Sequence, residues 1–158
     1  MLFRSVQPGA DARGFRFCVV AARFNEAYVQ RLVEAATSVL ARLGAAADDV
    51  VTVWVPGSLE LPLACQWTAA SGRFDAVLAF GVIVRGETEH FRLVADTSAH
   101  GLARVALYTG VPVLNGVLAA HHVGQVADRS GGIHGNRGAE VALAAVRMAQ
   151  LRRQQGAR

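Results

Sequence analysis

The amino-acid sequence predicts an α/β fold built on one four-stranded parallel sheet with helices on both of its faces. Four short runs of apolar and β-branched residues alternate along the chain with longer segments of helical periodicity. This alternation is typical of parallel strands joined by right-handed helical crossovers. The chain has 158 residues, of which 53% are hydrophobic and 18% are charged. These values favour a single packed domain over residues 1–158 and exclude a disordered chain.

The predicted strands are almost continuously apolar, which favours a sheet that is buried on both faces. The third strand is the most apolar of them. The fourth contains Pro112 near its start, where proline is tolerated. The four predicted strands comprise residues 15–22, 50–55, 76–84 and 111–118.

The segments between the strands carry apolar side chains three and four residues apart, as on one face of a helix. The first of these segments ends before Gly44, which acts as a stop signal. The predicted helices comprise residues 26–43, 58–70, 89–107, 122–130 and 138–153. The glycine-rich stretch 130–138 is predicted to be a functional loop, and residues 1–14 an extended N-terminal arm.

All 16 basic residues are arginine, so the chain contains no lysine. This excludes a lysine Schiff base, a pyridoxal-phosphate aldimine and a P-loop lysine. The formal net charge of +4 suits anionic small molecules as well as nucleic acid. The most basic local cluster, Arg152-Arg153, is interpreted as the solvated end of the last helix.

The two cysteines, Cys18 and Cys65, lie inside apolar segments. This position predicts two buried thiols rather than a disulfide, and a cytoplasmic protein. No apolar run approaches the ~18 residues of a membrane span. The first 14 residues lack the apolar region of a signal peptide.

Ligands of open α/β sheets bind at the carboxyl ends of the strands. At one such end the chain turns at Gly86 and a helix begins near Thr88, so backbone N–H groups and the helix dipole can hold an anion there. His90, in the first turn, can transfer protons. The alternative is a capped helix with a surface or packed histidine. The four candidate stretches are residues 23–26, 56–60, 85–90 and 119–122.

Four further side chains are candidates for ligand contact. Phe24 can stack on a planar ring or belong to the core. Glu60 can accept hydrogen bonds from ligand hydroxyls or simply favour the start of a helix. Arg129 and Arg137 flank the glycine-rich stretch, where they can bind phosphate or act as ordinary surface charge.

The remaining histidines do not predict a metal site. His121, His122 and His134 lack cysteine or carboxylate neighbours at the spacing of a metal site. His100 is interpreted as a packing or surface residue. We therefore expect no metal.

Five stretches occur in the order and at the spacing of one enzyme family, and together they resemble 6,7-dimethyl-8-ribityllumazine synthases. The most specific are the Pro-Gly-x-x-Glu-x-Pro stretch at 56–62 and the Arg-Gly-x-Thr-x-His stretch at 85–90. The resemblance implies a three-layer αβα sandwich with flavodoxin-like strand order. The five stretches comprise residues 23–25, 55–62, 81–91, 112–118 and 135–138.

The resemblance also implies a reaction in riboflavin biosynthesis. In it, 5-amino-6-(D-ribitylamino)uracil condenses with 3,4-dihydroxy-2-butanone 4-phosphate to give 6,7-dimethyl-8-ribityllumazine, phosphate and water. The two substrates form an imine with each other, so no lysine is required. The resemblance further implies small-molecule substrates, no metal or organic cofactor, and neither a nucleic-acid nor a membrane partner.

The resemblance implies roles for individual residues as well. His90 transfers protons, and Phe24 stacks on the pyrimidine. The wall that contains Asn115 and both candidate arginines comes from a neighbouring subunit. The other residues implied to bind the pyrimidine or ribityl group are Ser58, Leu59, Glu60, Val82, Ile83 and Asn115, and those implied to bind phosphate are Glu87, Thr88, Arg129 and Arg137.

Family members form pentamers, and some pack twelve pentamers into an icosahedral shell. The stretch 130–138 has no insertion relative to shell-forming members, which favours the shell. The sequence also departs from the family pattern. Asn115 replaces an aromatic residue, Arg137 a lysine and Arg92 an acid, and 119–121 replaces a Thr-Thr-Glu-like stretch. These departures keep two alternatives open: a weakly catalytic flavin- or lumazine-binding shell protein, and a related riboflavin synthase.

Overall fold

The computed structural model of the protein describes residues 4–156. Its secondary structure alternates between strands and helices as predicted. The strands are β1 (Phe17–Ala22), β2 (Val50–Val55), β3 (Ala76–Val84), β4 (Val113–Ala120), β5 (Ser130–Gly132) and β6 (Gly135–Asn136). The helices are α1 (Glu26–Arg42), α2 (Leu61–Ala70), α3 (His90–Thr109), α4 (Val123–Arg129) and α5 (Arg137–Gln154), with short 3₁₀ turns at Ala47–Asp49 and Ser58–Glu60.

The first four strands form one parallel sheet in the order β2-β1-β3-β4. Two central strands, β1 and β3, are therefore flanked by one edge strand on each side. This arrangement confirms the predicted three-layer αβα fold with flavodoxin-like strand order. Parallel strands need crossovers, and the helices between consecutive strands supply them.

Successive side chains of the central strands point to opposite faces of the sheet, and both faces are buried. On β1, Phe17, Val19 and Ala21 pack with α1 and α5 in one apolar cluster. Cys18 and Val20 pack with α2 and α3 in a second cluster. The two clusters explain why nearly every residue of these strands is apolar. In residues 4–156, no helix is both long and apolar enough to cross a bilayer.

Most element ends lie within two residues of the prediction, and three differences have a physical reason. The fourth strand begins after Pro112, which has no N–H to donate to the ladder, and it continues to Ala120 beside the long β3. The predicted helix 58–70 is a 3₁₀ turn followed by α2, which has Pro62 in its first turn. The glycine-rich stretch is not simply a loop, because β5 and β6 pair in it as a small antiparallel hairpin.

Of the predicted N-terminal arm, residues 1–3 lie outside the described residues. The part from residue 4 onward contains neither helix nor strand before β1. Ala12 anchors its end: it is fully buried, and its N–H donates to the carbonyl of Leu43 at 2.9 Å.

Candidate functional site

A cavity of about 400 Å³ opens at the carboxyl ends of the parallel strands. This is the edge of the sheet where the fold predicts a ligand. The wall is formed by the loops after β1 and β2, the end of β3 and the start of α3. The lining residues are Phe24, Gly57, Ser58, Leu59, Glu60, Val82, Ile83, Val84, Gly86, Thr88, His90, Phe91 and Val94.

Phe24 is held at the cavity by its backbone and leaves its ring free. Its N–H donates to the carbonyl oxygen of Pro56 at 3.2 Å, and the N–H of Arg23 donates to the carbonyl oxygen of Val55 at 2.8 Å. The next residue, Asn25, adopts a left-handed conformation with φ 59°, which asparagine tolerates better than most residues. The side chain of Phe24 is 72% exposed, so it does not belong to the core.

Asn25 also ties the loop after β1 to the end of β3. Its Nδ2 donates to the carbonyl oxygen of Val82 at 2.8 Å. The ladder between β1 and β3 ends at Phe80, but β3 continues to Val84. The end of β3 therefore projects past β1, and its backbone forms part of the cavity wall. Val82 and Ile83 contribute mainly through that backbone, because both side chains are buried.

The 3₁₀ turn Ser58–Glu60 packs closely on β3. A Cβ atom at Gly81 would collide with Ser58 Oγ, so glycine is what allows the turn to approach the strand. Ser58 is buried, whereas Leu59 and Glu60 are exposed toward the cavity. The N–H of Glu60 donates to the carbonyl of Gly57 at 3.2 Å, which closes the turn.

The segment before α3 forms the outer wall. Thr88 Oγ1 accepts a hydrogen bond from the N–H of His90 at 3.4 Å, so the threonine supports the start of the helix. His90 is exposed and is the first residue of α3. Glu87 is exposed as well, but it does not line the cavity. Gly86 has open space around its Cα, which leaves room for a ligand beside the backbone.

Phe91 and Val94 also line the cavity, although neither was predicted to bind a ligand. Their helical spacing indicated packing, and they occupy the part of α3 that faces the cavity. The ring of Phe91 also lies 5.9 Å from that of His121, centroid to centroid. A smaller adjacent cavity of about 200 Å³ brings Arg85, Arg92 and His121 beside the same segment.

Besides Glu87, three predicted site residues do not line the cavity of their own chain. Asn115 lies near the middle of β4, opposite Ala79, and its Oδ1 accepts from the N–H of Val117 at 2.9 Å. Arg129 ends α4 and is exposed. Arg137 begins α5, where its Nη1 lies 2.9 Å from Glu140 Oε2.

The cavity therefore has little positive charge of its own. Among the described residues, its titratable lining groups are the carboxyl group of Glu60 and the imidazole of His90. An anion bound here would depend on the backbone N–H groups before α3 and on cations from outside this chain's lining. In residues 4–156, no group of three or more histidine, cysteine, aspartate or glutamate side chains could hold a metal ion.

The cysteines lie apart from this cavity. Both are buried and free, as predicted. Burial raises the pKa of Cys18 from 9.0 to about 11, because the thiolate would be poorly solvated. Burial raises the pKa of Cys65 even further. Neither thiol is thereby a nucleophile near neutral pH.

A comparison with protein families agrees with the resemblance seen in the sequence. The model of the family described as 6,7-dimethyl-8-ribityllumazine synthase matches residues 14–153. The matched region contains the whole four-stranded sheet and every residue that lines the cavity.

Proposed function

Because the chain belongs to the 6,7-dimethyl-8-ribityllumazine synthase family, we propose that it condenses 5-amino-6-(D-ribitylamino)uracil with 3,4-dihydroxy-2-butanone 4-phosphate. The family itself supports a transferase-type enzyme of riboflavin biosynthesis. One observation carries the finer proposal: eight of the twelve site residues inferred from the sequence line a single cavity. They are Phe24, Ser58, Leu59, Glu60, Val82, Ile83, Thr88 and His90.

The pyrimidine substrate occupies the inner part of the cavity in this proposal. The exposed ring of Phe24 offers one face for stacking on the heterocycle. The backbone of Val82 and Ile83, beyond the end of the β1 ladder, offers hydrogen bonds to the heterocycle's edge. Ser58 and Glu60 line the same cavity and accept hydrogen bonds from the ribityl hydroxyls in this proposal.

The phosphate of the second substrate lies at the start of α3. Gly86, Glu87 and Thr88 form a loop at the positive end of α3, a helix of 20 residues. Their backbone N–H groups bind the phosphate in this proposal. The lining of the cavity lacks an arginine among the described residues. We therefore propose that Arg129 and Arg137, with Asn115, complete the corresponding cavity of a neighbouring subunit.

His90 is placed between the two substrates. The amine of the pyrimidine substrate attacks the ketone carbon, and water leaves to give an imine. Phosphate is then eliminated, and the ribitylamino nitrogen closes the ring on the remaining carbonyl carbon with loss of a second water. His90 is exposed at the mouth of the cavity beside Thr88, where it can carry protons between these steps.

A shared site requires an oligomer, and the surface of the chain favours one. Helices α2 and α3 present large apolar side chains to solvent, with Trp67 68% exposed and Leu107 87% exposed. Leu63 and Leu93, on the same two helices, are also more than half exposed. Exposed apolar surface of this kind marks contacts between subunits. We propose a pentamer that can assemble further into a shell.

The direct test is to mix the purified protein with both substrates and follow the fluorescence of the lumazine product. We expect a rate well above that of the spontaneous reaction, and the mass of the product identifies it. A rate equal to the spontaneous one would reject this function. Light scattering on the same sample reports the assembly, and a monomer would contradict the shared site.

A second candidate is a lumazine- or flavin-binding shell protein with weak turnover. Arg92, where the family has an acid, lies 3.9 Å from Glu89 in an exposed ion pair beside the site. A carboxylate that could orient His90 from that position is therefore missing. Tight binding of the lumazine product without its formation from the two substrates would favour this candidate.

A further inference from the structure

A second cavity lies at the opposite end of the sheet from the proposed active site. Its volume is about 740 Å³, and it opens at the amino ends of the strands. The walls come from residues just before β1 and β3, from the loop after α2, and from the last turns of α3 and α5. The polar and aromatic lining residues are Arg16, Arg73, Phe74, Asp75, Tyr108, Thr109, Arg152 and Arg153.

Four arginines and one aspartate give this lining a formal charge of +3. The carboxylate of Asp75 is already engaged: its Oδ2 accepts from the backbone N–H of Arg16 at 2.7 Å, and its Oδ1 lies 3.8 Å from Arg153. Within the described residues, the guanidinium groups of Arg16, Arg73 and Arg152 have no carboxylate within 4.0 Å. Three cations therefore face the cavity without a balancing anion.

Attraction to the end of α5 accounts for only part of this cluster. Arg152 and Arg153 stand in the last turn of α5, where the helix dipole favours cations. However, Nε of Arg152 is buried and has no hydrogen-bond partner among the described residues. Buried donors without an acceptor are rare, so no partner within the described residues explains the position of this guanidinium. Arg16, which precedes β1, belongs to no helix end.

We propose that this cavity binds a pyrophosphate group, as carried by a nucleoside diphosphate. Guanidinium groups donate paired, charge-assisted hydrogen bonds to phosphate oxygens, and the charge of the lining matches a trivalent anion. The cavity is large enough for more than the phosphates. Tyr108, 83% exposed, provides aromatic surface on which a planar base can stack.

The test is calorimetric titration of the assembled protein with inorganic pyrophosphate and, separately, with ADP. We expect both to bind, with ADP at least as tight, and the affinity to fall as salt screens the charges. The double variant Arg73→Gln, Arg152→Gln should bind both at least about 10-fold more weakly. The matched control is Arg147→Gln. Arg147 is exposed on α5, as part of the same helix as Arg152, but lies outside the cavity, so this variant should leave the affinity for both ligands unchanged.

Two further variants keep the outcome clear. Arg16→Gln replaces an exposed side chain and can be used if the double variant fails to fold. It should also weaken the binding of both pyrophosphate and ADP. Arg129→Gln separates this cavity from the proposed active site. Loss of pyrophosphate binding in Arg129→Gln, with binding retained in the double variant, would overturn the proposal. So would absence of binding to the wild-type protein, or binding of pyrophosphate without any binding of ADP.

Discussion

Removing the ring of Phe24 should damage substrate binding much more than folding. Full burial of a phenylalanine side chain stabilises a protein by roughly 1.5–3 kcal/mol. Since Phe24 is 72% exposed, the remaining 28% scales this to about 0.4–0.8 kcal/mol lost in Phe24→Ala. Stacking of a base on an aromatic ring contributes about 1–3 kcal/mol, which corresponds to about 5-fold to 150-fold in affinity.

The assay combines initial rates of lumazine formation at varied pyrimidine substrate with urea unfolding of the same preparations. Because stacking acts alike on the bound substrate and the transition state, KM should rise while kcat changes little. Phe24→Tyr keeps the planar ring and should stay close to the wild type, whereas Phe24→Leu should resemble Phe24→Ala. An unchanged KM in Phe24→Ala, or a stability loss above about 2 kcal/mol, would refute the reasoning.

Three other predictions follow from the same geometry. Gly81→Ala introduces a Cβ that collides with Ser58 Oγ, so urea unfolding should show a loss of about 1–3 kcal/mol, whereas Gly86→Ala, with open space around it, should be nearly neutral in stability. Arg129→Ala should weaken binding of the butanone phosphate by about 2–4 kcal/mol, measured as a raised KM for that substrate. An unchanged KM for the butanone phosphate would contradict the role of Arg129. The raised pKa values of Cys18 and Cys65 leave both thiols protonated near pH 8, so a thiol reagent should label them only after unfolding; rapid labelling of the folded protein would contradict their burial.

The elements of the sheet could be predicted because each leaves a local pattern. The apolar run of β3 and the periodicity of α1 gave boundaries within a residue of those observed. The start of β4 was predicted two residues too early, since apolar character alone does not report that Pro112 cannot donate to the ladder. The β5–β6 hairpin was missed because two- and three-residue strands of glycine and polar side chains carry no periodicity.

The candidate site was predictable only in part. Motifs at the strand ends indicated Phe24, Glu60 and His90, because a parallel sheet brings all such ends to one edge. No local pattern indicated that Phe91 and Val94 face the cavity, since a lining face and a core face of a helix have the same spacing. The predicted fourth strand already contained Asn115, and in the structure this residue lies part-way along β4, away from the cavity of its own chain.

By itself, the sequence determined the alternation of strands and helices, the burial of both cysteines and the family to which the chain belongs, because these depend on residues close together in the chain. Only the tertiary structure decided which distant residues meet. Arg16 and Arg153 are at opposite ends of the sequence, yet packing of α5 beside the start of β1 brings them to one cavity. Likewise, many contacts between distant residues together set the register of β3 against β1. This register leaves the end of β3 projecting into the candidate site.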